Sequence, residues 1–248
     1  MAGLYIELPW GSEKVVYTST FGDREMFLGQ RGMTPDGRTF RWCFSGGAIG
    51  AGERVETSPA VAADDQDLAV QTAGAVGDTS LYITTAGAVT VNLYQDGYVF
   101  TNDGAGEGHL YGIRSHPVIT GGGTLLLTLH EPLREAVTTG TTLIGLVKNP
   151  YKDVIVGTAA GNAGAVVGVA PTEITDNDYF WAQTSGPAAV LAEATAMVIG
   201  DGIEMGVDVA GAFQLYDVSE ETNKRPLGEL MQVAPGAADS ALVILCIE

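Results

Sequence analysis

Cysteine, histidine and basic side chains are scarce in this chain, and each scarcity removes a class of function. Only Cys43 and Cys246 occur among 248 residues, which excludes the disulfide-dense framework of a small secreted module. Both sit in apolar, strand-like runs, FRWCF and ALVILCI, where a thiol serves as a small hydrophobe. Pairing between them depends on a distance that spacing leaves open. The three histidines, His109, His116 and His130, match no compact zinc motif, and neither cysteine lies near them in sequence. They read as ordinary strand and loop residues, so no metal or cofactor is expected.

Basic residues number 12 against 30 acidic ones, for a formal charge of −18. That charge repels nucleic-acid phosphates and anionic lipid headgroups, so neither is an expected partner. The longest uninterrupted apolar run, 241–247, is far too short to span a bilayer as a helix. The opening MAGLYIELPWGSEK has neither a basic start nor a sustained apolar stretch, and no secretory leader is expected. No Gly-x-Ser-x-Gly is present. Ser115 and His116 are adjacent, and neighbours in a strand point to opposite faces, which makes a poor dyad.

Glycine (34) and proline (10) break the chain so often that few three-turn helices have room to grow. Between the breaks lie short runs rich in Val, Ile, Thr, Tyr and Phe, the strand signature. They include KVVYTS (14–19), RTFRWCF (38–44), SLYIT (80–84), GYVFT (97–101), TLLLTLH (124–130), TLIGLVK (142–148) and DVIVG (153–157). YFWAQT (179–184), FQLYDV (213–218), ELMQVA (229–234) and ALVILCI (241–247) complete the series. The expected fold is all-β, a sandwich, jelly roll or barrel of many short antiparallel strands with little helix. A chain of this size buries roughly 70% of its unfolded surface, enough to fold without staples.

Pro35-Asp36-Gly37 carries the chemistry of a tight turn. Asp96-Gly97 predicts a two-residue hairpin between VNLYQ and YVFTN, and the loop at 102–108 a longer connection to HLYGIR. The small-residue stretch at 157–172 marks either a boundary or a tightly packed strand pair. The expected organisation is an N-terminal arm or docking segment (1–30), a β lobe (31–157) and a second β lobe (158–248), either separate or part of the same domain. The last apolar strand is expected to pair centrally, because an apolar edge invites aggregation.

The loop GAGEG (104–108) has a phosphate-cradle composition, but a strand follows it where a helix N-terminus would be needed. Acid clusters at Asp64-Asp65-Gln66-Asp67 and Asp176-Asn177-Asp178 depart from the twelve-residue calcium-loop pattern and read as solvated turns. Aromatics are dispersed, which argues against a stacking platform for single-stranded nucleic acid. Phe40, Trp42 and Phe44 alternate with Arg41 and Cys43, as in a strand with one buried face. Trp181 is expected to anchor the later part of the core.

Charge is uneven. Residues 1–60 carry six basic and seven acidic side chains, the remainder six and twenty-three. Arg24, Arg31, Arg38 and Arg41 are therefore the expected contact residues for an acidic neighbour, another copy of the chain included, and Trp10 in LPWG is the expected anchor of the N-terminal arm on a neighbouring subunit.

The segments GQRGMTPDGRTFRWCFSGG (29–47), DGYVFTNDGAGEGHLYGIRSHP (96–117), LTLHEPL (127–133), LVKNPYKDVIV (146–156) and YFWAQTSGPAAVL (179–191) occur in this order. Together they resemble virion structural proteins of tailed phages, in particular capsid decoration (cement) proteins. The resemblance implies a non-enzymatic component of the outer capsid surface, assembled in the host cytoplasm. It implies a homo-oligomer, typically a trimer, that binds the major capsid protein and bridges its subunits. It supplies no catalytic residues. The alternatives are a head–tail or tail-associated virion protein and, from another class, a glycan-binding or glycan-processing β domain.

Overall fold

The computed structural model describes residues 6–7, 13–20, 26–60, 66–159, 164–193, 197–216 and 226–248. The chain is nearly all β, as its composition requires. Two compact units are present: residues 1–58 with 151–248, and residues 59–150 inserted between them in sequence. This division differs from the expected lobes at 31–157 and 158–248. β4 (Arg54–Glu56) pairs antiparallel with both β11 (Ile155–Val156) and β12 (Val166–Val169). One sheet therefore runs across the anticipated boundary, and 157–172 holds a packed strand.

The first unit is an 11-stranded sheet. Its main path begins with β1 (Ile6–Glu7), β2 (Arg31–Met33) and β3 (Thr39–Phe44), then passes to β13 (Tyr179–Leu191) and β17 (Ser240–Cys246). It ends with β16 (Gly228–Gln232), β14 (Gly202–Met205) and β15 (Phe213–Leu215). The C-terminal strand β17 lies between β13 and β16, the central position expected of it. Its alternation buries Ala241, Val243 and Leu245 with Val190, Leu230, Ile203 and Phe213.

β2 and β3 form a hairpin over Pro35-Asp36-Gly37, with the Gly37 N–H donating to the Thr34 carbonyl. β3 is covered on both faces, where one buried face was expected. Phe40 and Trp42 join Val16 and Trp181 in one cluster, and Cys43 joins Ile49, Val55 and Phe180 in another. Trp181 thus anchors the N-terminal aromatic cluster, 5.1 Å edge-to-face from Trp42, where the later core was expected. KVVYTS is a 3-10 turn (Glu13–Tyr17) instead of a strand. The Thr18 hydroxyl closes it by donating to the Val15 carbonyl, and Val16 alone enters the core.

The second unit is a closed six-stranded barrel. Its strands are β5 (Leu68–Thr72), β6 (Ser80–Thr85), β7 (Tyr98–Asp103), β8 (Leu110–Ser115), β9 (Gly123–Leu129) and β10 (Leu143–Val147). Inward residues at every second position, among them Val70, Ile83, Val99, Ile113, Leu127 and Leu146, fill it. The hairpin expected at Asp96-Gly97 is absent. Residues 91–96 form consecutive turns, with Asn92 and Asp96 at positive φ. The imidazole of His116 accepts from the Tyr94 N–H at 3.0 Å, and the His116 N–H donates to Asn92. These local bonds take up backbone groups that strand pairing would have used.

Candidate functional site

In the first unit an open groove of about 320 Å³ lies where β3 ends against β13. β3 stops with Thr39 opposite Ser185, and from Ser185 onward β13 pairs with β17. A bulge sits at this changeover, between Gln183 and Ser185. The Gln183 amide donates to the carbonyls of Ser185 (3.1 Å) and Pro187 (2.8 Å), which fixes the bulge. Gly186 stands next with φ +85, and a Cβ there would lie 3.1 Å from the Arg38 Cγ. Only glycine combines that backbone conformation with so close an arginine.

Arg38 forms the polar wall of the groove. Its Nε contacts Asp36 at 2.8 Å, its Nη1 donates to the Tyr17 hydroxyl at 3.2 Å, and its side chain is 12% exposed. Burial alone would lower the Arg38 guanidinium. The Tyr17 and Asp36 hydrogen bonds outweigh burial and raise it. The opposite wall is apolar: Pro171, Pro187, Ala189 and Leu242. Beyond the groove the outward face of β13 and β17 continues it. Ala189 stands opposite Leu242, and Pro187 opposite Ile244, which is 44% exposed. Across β17, Ile244 adjoins Glu229, the one charged side chain in these facing pairs. This surface offers shape and apolar area with a neutralised ion pair at one end.

Among the described residues, Arg31, Arg38 and Arg41 do not share one face. Trp10 and Arg24 lie outside the described residues. Arg31 and Arg41 stand opposite each other on β2 and β3. Arg41 contacts the Glu248 carboxylate at 2.7 Å and donates to the Gly29 carbonyl at 2.8 Å. Burial would lower the Arg41 guanidinium, but Glu248 and Tyr151 raise it. Arg38 packs towards the Phe40 ring, whereas Arg41 lies towards Tyr151. An odd separation along an extended chain sends two side chains to opposite faces. Arg38 is the expected contact residue that lines the groove.

The other sequence candidates make local contacts. His116 is buried, and its Nδ1 lies 2.9 Å from the Pro117 carbonyl, so Nδ1 carries the proton and Nε2 accepts from Tyr94. His109 meets the Tyr111 hydroxyl, and His130 meets Asp96. Among the described residues no three His, Cys, Asp or Glu side chains are grouped to hold a metal. The GAGEG loop is a tight β7–β8 connection closed by the Gly108 N–H on the Thr101 carbonyl. Asp178 is buried and accepts from the Ser19 hydroxyl; Asp64 and Asp65 lie outside the described residues. Cys43 and Cys246 are both free thiols.

The chain matches no family model, no curated protein and no solved structure.

Proposed function

We propose that this chain is a non-enzymatic virion structural protein of the capsid decoration kind. It acts as a homo-oligomer, a trimer in the simplest case, on the outer capsid surface, where it bridges neighbouring copies of the major capsid protein. The supporting observation is the groove beside Arg38, with the uncharged face of Pro187, Ala189, Leu242 and Ile244 beyond it. The occupant proposed is an apolar surface of the shell subunit. A chain of charge −18 repels another acidic surface except where its own charges are sparse, and this face is such a place. Arg38 is already neutralised by Asp36, so the contact is apolar in character and tolerant of salt. Interfaces of this kind bury on the order of 1,600 Å² each, and several per oligomer multiply into avidity.

The test is light scattering of the purified protein, followed by co-sedimentation with undecorated capsids at low and high salt. The expected result is an oligomer that sediments with shells at both salt concentrations, and a Leu242→Asp variant that stays in the supernatant while remaining folded. A monomer that ignores shells overturns the proposal, and binding to isolated tails instead assigns the chain to the tail.

A further inference from the structure

We propose that the wall of the barrel formed by β7, β8 and β10 binds an uncharged glycan chain, a function separate from shell docking. Tyr98 and Phe100 lie two positions apart on β7, with Val99 between them buried in the barrel core. Alternation therefore puts both rings on the outer wall, about 7 Å apart along the strand. The residues across from them are small. Tyr98 stands opposite Gly112 on β8, and Phe100 opposite Gly145 on β10. The remaining cross-strand neighbours, Val147 beside Tyr98 and Leu110 beside Phe100, are 45% and 50% exposed. The exposed Tyr98 and the half-buried Phe100 thus present ring surface along the strand, bordered by the exposed Val147 and Leu110.

The rim of this surface is polar. His130 packs over Gly112, where a Cβ would meet its ring at 3.3 Å, and it faces Asp96 at 3.4 Å, two residues before Tyr98. Exposed Arg114 follows Gly112 on the same face of β8. Hydrogen-bonding groups around an apolar, aromatic centre match a sugar ring, which is apolar on its C–H faces and polar at its edge.

Size and charge decide against other occupants. Three strands about 4.8 Å apart and two rows about 7 Å apart give a surface on the order of 100–200 Å². A stable protein partner needs about 800 Å² on each side. Anionic polymers, nucleic acid included, face a chain of charge −18. A neutral oligosaccharide fits both limits.

The experiment is a titration of the full chain, followed by two-dimensional NMR of backbone amides and by affinity electrophoresis. The probes are maltohexaose, cellohexaose, mannohexaose and dextran, with polygalacturonate as the charged control. At least one neutral probe is expected to shift the Gly112 and Gly145 amides. Tyr98→Ala and Phe100→Ala should weaken that binding at least tenfold. Val147→Lys, which crowds Tyr98 without removing a ring, should weaken it while leaving the fold intact. Thr84→Ala, on the opposite wall, should leave it unchanged. Absence of binding to every neutral probe overturns the proposal. So does binding that survives in both ring variants, or a preference for polygalacturonate. Since no shell is used, these outcomes are independent of capsid docking.

Discussion

Arg54 and Glu56 face each other at 3.2 Å, Nη2 to Oε1, with neither side chain exposed to solvent. They stand two residues apart on β4 and so share one face of it. The Arg54 Nη2 donates to the Thr158 carbonyl at 3.1 Å, and Gly157 packs against the guanidinium, leaving no room there for a methyl group. Burial pushes the Arg54 guanidinium down, and the carboxylates of Glu56 and Glu193 partly restore it.

A buried pair of this kind costs more to break than to replace. Arg54→Met should destabilise the first unit by about 3–5 kcal/mol, because it removes the cation facing a buried carboxylate. Arg54→Met with Glu56→Leu should recover most of that loss. Chemical denaturation of both variants checks this. A double variant no more stable than the single one contradicts the account.

The two thiols should differ sharply in reactivity. Cys43 is wholly buried, and burial raises its thiol well above the ordinary value, whereas Cys246 is exposed on β17. The thiolate is the reactive form. A chromogenic disulfide reagent at pH 8 should titrate one thiol per native chain and two in denaturant. Two in the native state would show that β3 is not covered as described.

The hairpin between β2 and β3 should loosen in acid. Burial acts to raise the Asp36 carboxyl, but hydrogen bonds from Thr34 and Arg38 outweigh it and hold the group below its ordinary 3.8. A carboxylate depressed by folding contributes stability that is complete above the unfolded value. The contribution is lost as pH falls through the lower folded one. The NMR signal of the Arg38 guanidinium, which donates from Nε to Asp36, should therefore hold steady down to about pH 4 and move below it. Movement well above that pH would contradict the sign.

Cutting the chain should separate the two units. Removal of residues 240–248 takes away β17 and leaves β13 and β16 without their shared neighbour, so the first unit should unfold. Residues 59–150, expressed alone, should keep their barrel, because every residue of its core cluster lies within this segment. Amide dispersion in NMR spectra distinguishes the cases, and an unfolded excised barrel would contradict independent folding.

Strand identity was legible because it is written locally. RTFRWCF, TLLLTLH and ALVILCI carry alternation and β-branched or aromatic side chains, and Pro35-Asp36-Gly37 carries its own turn chemistry. The unit boundaries were not legible. Val55 finds Val156 and Gly168 across roughly a hundred residues, and no local pattern encodes such a pairing. Within the arginine group, closeness in sequence does not mean a shared face. Residue parity already separated Arg38 from Arg41. Tyr98 and Phe100 looked dispersed in composition, although the alternation in GYVFT placed them on one face. What remained hidden was the pair of glycines opposite them, which only the strand register reveals.

β4 and β11 pair antiparallel, with Val55 opposite Val156 and Glu56 opposite Ile155. The chain leaves after Glu56 and re-enters before Ile155 at the same end of that pair. In wiring, the whole barrel occupies the place of a hairpin loop. Loops are where insertions are tolerated and recognition is carried. A different insert, or a short turn, could therefore follow Glu56 without rewiring a strand of the sheet.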